Sequence, residues 1–355
     1  MSITRQRILF VVIAICMSFS CGVFADDRTA DEVLAELDSI KMPTYERSKR
    51  SDRKFMAKIR VEIRALNLKK SKLAGELFRV DPDHERLGKL MPLRWTYLKF
   101  DLEQSATITD EMQEIFTSAP DTELAKRARF EYASKKLYDN SKGREKSMED
   151  VSKAVESFIS HHPEDSRNFN LLKNLAIAYG FGSNEQLALY NRIKKSYPDK
   201  SKYIDTKIKQ IKSIGKPFEL EFQDAITGTT ISMKDLKGQV VVLDFWATWC
   251  RPCVAEMPHM KKLYAKYHDE GVQFIGISLD KSEDQGGLAA LKKYVSEKEI
   301  PWPQYYQGNK WASEFSTSWG IGSIPAMFVI DKKGNLKSTQ ARYKLEKLIP
   351  QLLAE

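Results

Sequence analysis

Cysteine is scarce in this chain: it makes up four of 355 residues, and two of the four lie within the first 25. We expect Cys16 and Cys21 to leave with an N-terminal leader, so that the mature chain keeps only Cys250 and Cys253. A small secreted scaffold carries several cysteines at varied spacings. A zinc site needs four ligands, usually including a second cysteine pair. The scarcity argues against both classes, and one close pair indicates chemistry.

Long apolar runs are lacking beyond the N-terminus, so we expect no later segment to span a membrane. The first 25 residues have the pattern of a secretory signal. Arg5 and Arg7 precede an apolar run from Ile8 to Phe19, and Val23-Phe24-Ala25 has the small-x-small pattern of a cleavage site. We predict cleavage near Ala25 and a periplasmic or otherwise extracytoplasmic location. An uncleaved membrane anchor and a lipid on Cys21 are the alternatives.

Positive charge is unevenly spread. The formal net charge is +9, and residues 26–216 hold 38 basic against 31 acidic residues, whereas residues 217–355 hold 17 of each. The bias is densest from Lys41 to Lys72, with twelve basic and three acidic residues. A solvated helix face is the first interpretation, and contact with an anionic envelope surface is the alternative. Export and the lack of a recognised motif predict no nucleic-acid partner.

Residues 26–214 are predicted to form an irregular all-α helical domain. Breaks at Pro163, Gly180–Gly182 and Pro198 separate segments with apolar residues at helical spacing. Such short breaks favour helical hairpins, although no repeat of fixed period is present. The apolar positions are Val151, Ala154, Val155, Phe158 and Ile159, then Leu171, Leu172, Leu175 and Ala178, then Leu187, Leu189, Tyr190 and Ile193.

The pattern changes after a linker at residues 213–217. Phe218, Leu220 and Phe222 alternate with polar residues, as in a half-buried strand. Apolar runs typical of buried strands then alternate with helical segments, which predicts an α/β domain over residues 215–355 with helices on both faces of a sheet. The predicted strands are 240–245, 272–279, 326–330 and 336–339, and the predicted helices are 253–268, 288–298 and 343–353.

The two remaining cysteines lie in Trp249-Cys250-Arg251-Pro252-Cys253, where a buried strand gives way to a helix. A helix N-terminus presents unpaired N–H groups and a positive dipole end, which favour the nucleophilic thiolate. We predict that Cys250 is the exposed attacking group and that Cys253 resolves the mixed disulfide. Pro252 suits the first helical turn, where no N–H partner is needed. A purely structural disulfide is the alternative, although so short a loop stabilises little.

This region resembles a known family. Val242–Cys253 resembles the active-site segment of the thioredoxin superfamily, and Ser323–Ala326 resembles its cis-proline segment. Glu256-Met257-Pro258 and the opening hairpin from Phe218 to Ser232 are similar to the exported TlpA/ResA-type reductases. The resemblance covers residues 215–355. It implies a thioredoxin-like fold, with a mixed central sheet flanked by helices and an N-terminal hairpin.

The resemblance also implies roles for individual residues. Pro325 would be cis and face the disulfide, and Ile324 would offer backbone groups to a substrate peptide. Asp244 and Glu256 are the candidate acid–base groups. Burial should raise the pKa of Asp244, so that it exchanges a proton with Cys253. Thioredoxins have aspartate at the first position and TlpA/ResA-type proteins the glutamate at the second, so which acid dominates stays open.

Each acid also has a structural interpretation. Asp244 is alternatively a buried acid satisfied by local hydrogen bonds, and Glu256 an acid that complements the helix dipole. For Pro325 an ordinary turn before a strand is the simpler interpretation when the cysteine motif is disregarded.

Arg251 stands where thioredoxin usually has glycine. A cation between the cysteines should stabilise the thiolate and give a more oxidising couple, unless the arginine merely faces solvent. Trp249 is predicted to shield the disulfide and contact partners. Five later aromatic residues are predicted to pack in the core, with a substrate groove as the alternative; they are Trp302, Tyr305, Tyr306, Trp311 and Trp319.

The resemblance implies a thiol–disulfide oxidoreductase acting on exported protein thiols and disulfides, in the direction of a reductase, with no metal and no other cofactor. Cytochrome c maturation or disulfide quality control would fit it. Because an exported reductase has no access to a cytoplasmic thiol pool, a membrane electron donor is expected.

Two other functions remain open. In peroxiredoxin-type thiol peroxidases, Thr or Ser stands three residues before the attacking cysteine and Pro four residues before that; here Ala247 and Leu243 occupy those positions. Peroxiredoxins also need a downstream arginine, and Arg342 is the only one after the motif. The third function is an envelope scaffold whose helical half docks a partner and whose redox domain is accessory.

Overall fold

The computed structural model describes residues 28–98 and 104–355; the predicted signal segment lies outside them. The chain divides after Lys136 into two compact units. The described part of the first unit is helical. Its helices are α1 (Ala30–Ser39), α2 (Arg53–Val80), α3 (Leu87–Leu98), α4 (Ser105–Ser118) and the beginning of α5 (Glu123–Ser141).

The core of the first unit contains an ion pair whose arginine is buried and whose glutamate is partly buried. Arg94 on α3 donates from Nε and Nη2 to the carboxylate of Glu111 on α4, at 2.9 and 2.6 Å, and from Nη1 to the carbonyl of Ser71 at 2.6 Å. Gly75 makes room for this guanidinium, since a Cβ there would lie 2.6 Å from the Arg94 Cζ atom. The buried charge is therefore paired, as the cost of removing it from water requires.

Of the described residues, those of the second unit form four complete α-helices before the sheet, and the apolar spacing predicted the first three of them. They are α6 (Met148–His161), α7 (Asn168–Ala178), α8 (Asn184–Ser196) and α9 (Ser201–Lys212). Ser147 and Ser183 cap α6 and α8 through their side chains, which accept hydrogen bonds from the backbone N–H groups of Asp150 and Gln186. Neighbouring helices pack in pairs along the chain.

An α/β domain follows, as predicted. A two-stranded antiparallel hairpin opens it, and a five-stranded sheet has the order β5-β4-β3-β6-β7. In chain order the elements are β1 (Glu221–Gln223), β2 (Thr230–Ser232), β3 (Val240–Trp246), α10 (Arg251–Tyr267), β4 (Val272–Ser278), α11 (Gly287–Glu297), β5 (Gln304–Tyr306), α12 (Glu314–Trp319), β6 (Ala326–Ile330), β7 (Leu336–Ser338) and α13 (Leu345–Ala354).

The sheet is mixed. β3 runs parallel to β4 and antiparallel to β6, β4 runs parallel to β5, and β7 pairs antiparallel with β6. This confirms the thioredoxin-like architecture with its N-terminal hairpin. The sequence pattern did not predict β5 or α12, because both are too short to show a period.

Every residue of β3 is buried, so its polar groups need internal partners. The indole Nε1 of Trp246 donates to the side-chain oxygen of Gln304 at 3.0 Å. Gly276 on β4 leaves room for that amide, since a Cβ there would lie 2.1 Å from the same oxygen. This hydrogen bond ties the end of β3 to β5 across β4, just before the cysteine motif begins.

The predicted linker is hydrogen-bonded to the sheet domain. The N–H of Gly215 donates to the carbonyl of Leu336 at 2.8 Å, and the N–H of Leu336 donates to the carbonyl of Lys216 at 2.9 Å. The N–H of Phe218 donates to the carbonyl of Gly334, also at 2.9 Å. Residues 215–218 therefore extend the edge at β7.

Helix α9 also packs against α12. Lys209 donates from Nζ to the carbonyl of Ser318 at 3.0 Å and lies 4.5 Å from the ring centre of Trp319. Gly320, with φ +61°, sits so close to Thr206 that an added Cβ would lie 2.2 Å from its hydroxyl oxygen. The helices before the sheet and the sheet domain thus share a close contact within the second unit.

Within residues 28–98 and 104–355, none of the helices has the length and apolar character needed to cross a bilayer.

Candidate functional site

The cysteine pair lies at the junction of β3 and α10. Cys250 is the residue that caps α10, and its Sγ accepts a hydrogen bond from the N–H of Cys253 at 3.3 Å. The two sulfurs are bonded at 2.07 Å, with the Cα atoms 5.3 Å apart. Because the cap position faces the positive end of the helix dipole, a thiolate on Cys250 is stabilised there in the reduced protein.

The pair is less exposed than the sequence suggested. Cys250 is 5% and Cys253 3% exposed, whereas we predicted an exposed Cys250. The reason is that its sulfur is bonded to Cys253 and its neighbours cover it: Trp249 is 44% exposed, and Arg251 and Pro252 are exposed as well. A partner must therefore enter a groove to reach this sulfur.

That groove has a volume of about 400 Å³ and brings most of the predicted contact residues together. It is lined by Trp249, Cys250, Arg251, Pro252, Trp311, Gly322, Ser323 and Ile324. The peptide bond between Ile324 and Pro325 is cis. Pro325 itself is partly buried just before β6, next to the lining residue Ile324.

Asp244 lies in the middle of the sheet, between Gly276 on β4 and Met327 on β6. It is 3% exposed, and within the described chain its Oδ1 has no hydrogen-bond partner. Burial, together with the charge of Glu256, raises the pKa of Asp244 to about 7, and the charge of Arg342 opposes the rise. The missing partner argues against the purely structural interpretation of this acid.

Glu256 lies on α10, three residues beyond Cys253. Its carboxylate accepts from Nε of Arg342, at 3.0 Å to Oε2 and 3.4 Å to Oε1. The two side chains are only 17% and 27% exposed. Both therefore act electrostatically on Asp244, and the sequence did not predict this role for Arg342.

Asp280 was not predicted from the sequence as a site residue, yet it holds the loop that carries Thr248 and Trp249. It follows the end of β4, and its buried carboxylate accepts from the N–H and Oγ1 of Thr248, at 3.2 and 2.6 Å, and from Oγ of Ser278 at 2.9 Å. Burial raises the pKa of Asp280, while the Thr248 and Ser278 hydrogen bonds lower it. The sequence did offer a basis for predicting Asp280 as part of the site. It follows a predicted buried strand, and the carboxyl ends of parallel strands such as β3 and β4 lie at the same edge of a sheet.

The five later aromatic residues divide between packing and groove. Trp302 is buried, and Trp319 packs on Phe218 with ring centres 5.0 Å apart. Trp311 is 39% exposed, lines the groove and meets Trp249 edge to face, with ring centres 6.0 Å apart. Trp249 is held in place because its Nε1 donates to the carbonyl of Leu279 at 3.2 Å.

The chain is similar to known proteins over the part that holds the cysteine pair. Residues 212–339 match the model of the AhpC/TSA family. Thiol-disulfide oxidoreductase ResA of Oceanobacillus iheyensis is 32% identical over 146 residues, which cover 41% of this chain and 72% of the relative. This chain belongs to the ResA family of thiol–disulfide oxidoreductases. The ResA protein of Bacillus cereus is 38% identical over 112 residues, which cover 31% of this chain and 60% of the relative.

Solved structures are similar over a comparable share of the chain. A thioredoxin-like protein from Bacteroides vulgatus is 26% identical, with a TM-score of 0.34, and the match covers 40% of this chain and 87% of that one. A thiol:disulfide interchange protein of the thioredoxin family from Chlorobium tepidum is 25% identical, with a TM-score of 0.32, and the match covers 39% and 94%.

Membership of the ResA family confirms the predicted enzyme class. The protein is a thiol–disulfide oxidoreductase, and protein thiols and disulfides are the substrate class that goes with it. In this ResA-type chain the bonded cysteines and the groove lie at the end of β3, and the buried acid Asp244 lies inside the same strand.

Proposed function

We propose that this ResA-type enzyme is an exported protein-disulfide reductase with Cys250 and Cys253 as its redox couple. One observation carries the proposal: the bonded pair at the start of α10 opens into a groove, while the buried carboxyl of Asp244 lies in the strand that leads to it. The nucleophile and a surface for the client are thus available at the end of β3, and a proton acceptor lies within the same strand.

The reaction has two exchange steps. The thiolate of reduced Cys250 attacks one sulfur of a client disulfide; the client's S–S bond breaks, one client cysteine leaves as thiolate, and a mixed disulfide forms. Cys253 then loses its proton to Asp244 and attacks the Sγ of Cys250, which releases the second client thiolate. The client gains two electrons, and the enzyme's pair is oxidised to its disulfide.

The surrounding residues have separate tasks in this scheme. Asp244 has a pKa of about 7, so it is able to accept and return a proton near neutral pH. Glu256 lies one turn beyond Cys253 and sets the charge around that proton. Trp249 and Ile324 form the walls against which a client segment lies, and Pro325 holds the backbone at Ile324 beside the disulfide.

The N-terminal sequence supports an extracytoplasmic site of action, with exported proteins as clients. The thiols of cytochrome c maturation are one such client class, and general disulfide quality control is the other. Because cytoplasmic thiols do not reach that space, a membrane-bound dithiol donor would return two electrons to the oxidised pair. The enzyme's own residues require no metal and no other cofactor for these steps.

The helical residues 26–214 are proposed to serve recognition or oligomerisation. In the described chain, the first half of α2 is largely exposed: between Arg53 and Arg64 only Ile59 is buried. This stretch is rich in arginine and lysine, so contact with an anionic envelope surface is the proposed accessory role.

The reduction potential of the Cys250–Cys253 couple tests the proposal, measured by equilibrating the purified mature protein with a thiol buffer. A value near roughly −250 mV or lower supports a reductase, since it matches the thioredoxin range. A value near roughly −120 mV would make the protein an oxidant with the same site. Absence of any reversible intramolecular disulfide would overturn the assignment of the couple.

A trapping experiment tests the order of attack. Cys253→Ser should accumulate mixed disulfides with oxidised client proteins, because the resolving thiol is gone. Cys250→Ser is the matched control and should trap none. Equal trapping by both variants would contradict the assigned roles.

A peroxidase is the second candidate, because the AhpC/TSA model matches residues 212–339. The geometry argues against it: Ala247, buried and without a hydroxyl, stands where peroxiredoxins have Thr or Ser, and Arg342 is engaged by Glu256. Peroxide consumption in the presence of dithiothreitol should therefore not exceed that of Cys250→Ser. Rapid consumption that depends on Cys250 would favour the peroxidase instead.

A further inference from the structure

We propose that the groove beside Cys250 selects client disulfides flanked by acidic residues, through the positive charges of Arg251 and Lys310. The inference rests on the proposed function and names its substrate class: extended polypeptide segments with Asp or Glu next to the reacting cysteine. Its basis is the charge of the groove and the way the chain holds Lys310 at the rim.

The charge of the groove has one sign. Of the described residues that line it, Arg251 alone carries an ionised side chain, and the others are apolar, hydroxyl-bearing, glycine or cysteine. Arg251 is exposed, and no acidic side chain of the described chain forms an ion pair with it. The nearby carboxylate of Asp280 is 2% exposed and already accepts from Thr248 and Ser278. A client carboxylate would therefore meet an unneutralised cation.

Lys310 adds a second cation at the same place. Its Nζ lies 5.8 Å from the ring centre of Trp249, and the adjacent residue, Trp311, lines the groove. The faces of aromatic rings attract cations. The groove thus combines two indoles with two positive charges, which suits a segment that has an apolar cysteine region and an acidic flank.

The backbone around Lys310 is held in an unusual conformation. Asn309 and Lys310 have φ values of +61° and +50°, a left-handed region that few residues other than glycine adopt. The N–H of Lys310 donates to the carbonyl of Asp280 at 3.1 Å. Asp280 therefore binds both the loop that carries Lys310 and, through its carboxylate, the loop that carries Trp249. Strained backbone of this kind persists where surrounding contacts fix it, and it concentrates at functional sites.

The chemistry follows from these positions. Opposite charges at the rim of an interface raise the rate of encounter and set the register of the partner. Because the charges are solvent-exposed, their attraction is weak. We expect a client with an acidic flank to react roughly two- to five-fold faster than one with a basic flank, and we expect salt to reduce this difference.

The test uses the full mature protein, fully reduced, and three disulfide-linked peptides that differ only in the residue next to cysteine: Glu, Gln or Lys. The second-order rate of peptide reduction in a single turnover is measured at low and at high salt. We expect the Glu peptide to react fastest and the Lys peptide slowest at low salt, with a difference that shrinks at high salt.

Variants assign the effect to the groove. Lys310→Gln should reduce the ratio of the Glu to the Lys rate, Lys310→Glu should bring it close to one because Arg251 offsets the new acid, and Lys310→Arg should preserve it. Lys237→Gln is the matched control, because it removes the same charge from an exposed position just before β3, at the opposite end of that strand from the site. Circular dichroism verifies that each variant is folded.

The outcomes are distinguishable. Equal rates for the three peptides would overturn the selectivity and leave the proposed reductase intact. A ratio that Lys310→Gln and Lys237→Gln reduce equally would overturn the groove's role, because net charge alone would then explain it. Failure to reduce any peptide would count against the proposed function itself.

Discussion

Nε of Arg342 lies 3.0 Å from Oε2 of Glu256, so a cation from the segment after β7 is bound to an acid one helical turn beyond Cys253. The charged groups around the buried Asp244 are these two residues, one lowering and one raising its pKa. Replacing Arg342 removes the charge that lowers the pKa of Asp244.

We therefore expect Arg342→Gln to raise the pKa of Asp244. If Asp244 accepts the proton of Cys253, the acidic limb of the pH–rate profile for resolving the mixed disulfide should move to higher pH. The measurement is the resolution rate in a single turnover across pH 5 to 9, as rough limits. An unchanged limb would show that Arg342 does not influence the proton acceptor.

Glu256→Gln separates the two acids. Because the charge of Glu256 raises the pKa of Asp244, its removal should move the same limb to lower pH while the plateau rate is kept. If the plateau falls by two orders of magnitude or so and the limb disappears, Glu256 is itself the proton acceptor. The double variant with Arg342→Gln restores the local charge balance and should return the limb toward its original position.

Asp244→Asn should stabilise the protein at neutral pH. The folded-state pKa of Asp244 is raised from 3.8 to about 7, so the neutral acid is favoured in the fold. Its stabilising contribution is complete below pH 4 or so and is lost as pH rises toward 7. Unfolding free energies should therefore differ little near pH 4 and increasingly favour the variant up to pH 7, by as much as about 4 kcal/mol.

Chemical denaturation of the oxidised proteins at several pH values checks this. Asp235→Asn, at an exposed position before β3, is the matched control and should show no such trend. A constant difference between wild type and Asp244→Asn across the range would contradict a raised pKa in the fold.

The sequence predicted the elements with a clear period and the residues with a family motif. Strand β3 was predictable because it is a continuous apolar run, and helix α10 was predictable because it follows a cysteine motif. Arg342 and Asp280 were not predicted as parts of the site, because their partners are 86 and 32 residues away along the chain and no local pattern relates them. The position of Lys310 over Trp249 goes with a left-handed backbone at Asn309 and Lys310. The sequence contains no pattern that predicts this backbone conformation.

Asp280→Asn should loosen the active-site loop. The carboxylate accepts from the N–H and hydroxyl of Thr248, and an amide cannot accept through its nitrogen. We expect a loss of about 1–3 kcal/mol in unfolding free energy and slower peptide reduction. Thr248→Val removes only the hydroxyl bond and should have a smaller effect in both assays. Equal stability of Asp280→Asn and wild type would contradict the anchoring role.

Gly320→Ala should destabilise the contact of α9 with α12. The position combines φ +61° with Thr206 atoms where a Cβ would lie, so both the backbone and the packing oppose a side chain. We expect a loss of about 1–3 kcal/mol, measured as a lowered midpoint of thermal or denaturant unfolding. Thr206→Ala in the same chain should recover only a small part of it, because it removes the hydroxyl but keeps the Thr206 Cβ, which would lie 2.5 Å from the new Cβ, and it leaves the backbone cost. Gly322→Ala is a control, since no atom lies within 4 Å of its added Cβ.

The hydrogen bonds of residues 215–218 to the edge at β7 set where the redox half of the chain can be separated from the rest. The change in composition near residue 214 suggests a domain boundary there. A cut at that residue, however, would remove α9 from α12 and expose the ring of Trp319 to water. A fragment that begins near residue 137 keeps α6 to α9 with the sheet. The helix just before the sheet therefore supports the redox domain through its packing on α12, so that cutting the chain at the change in composition would also destabilise the domain that holds the cysteines.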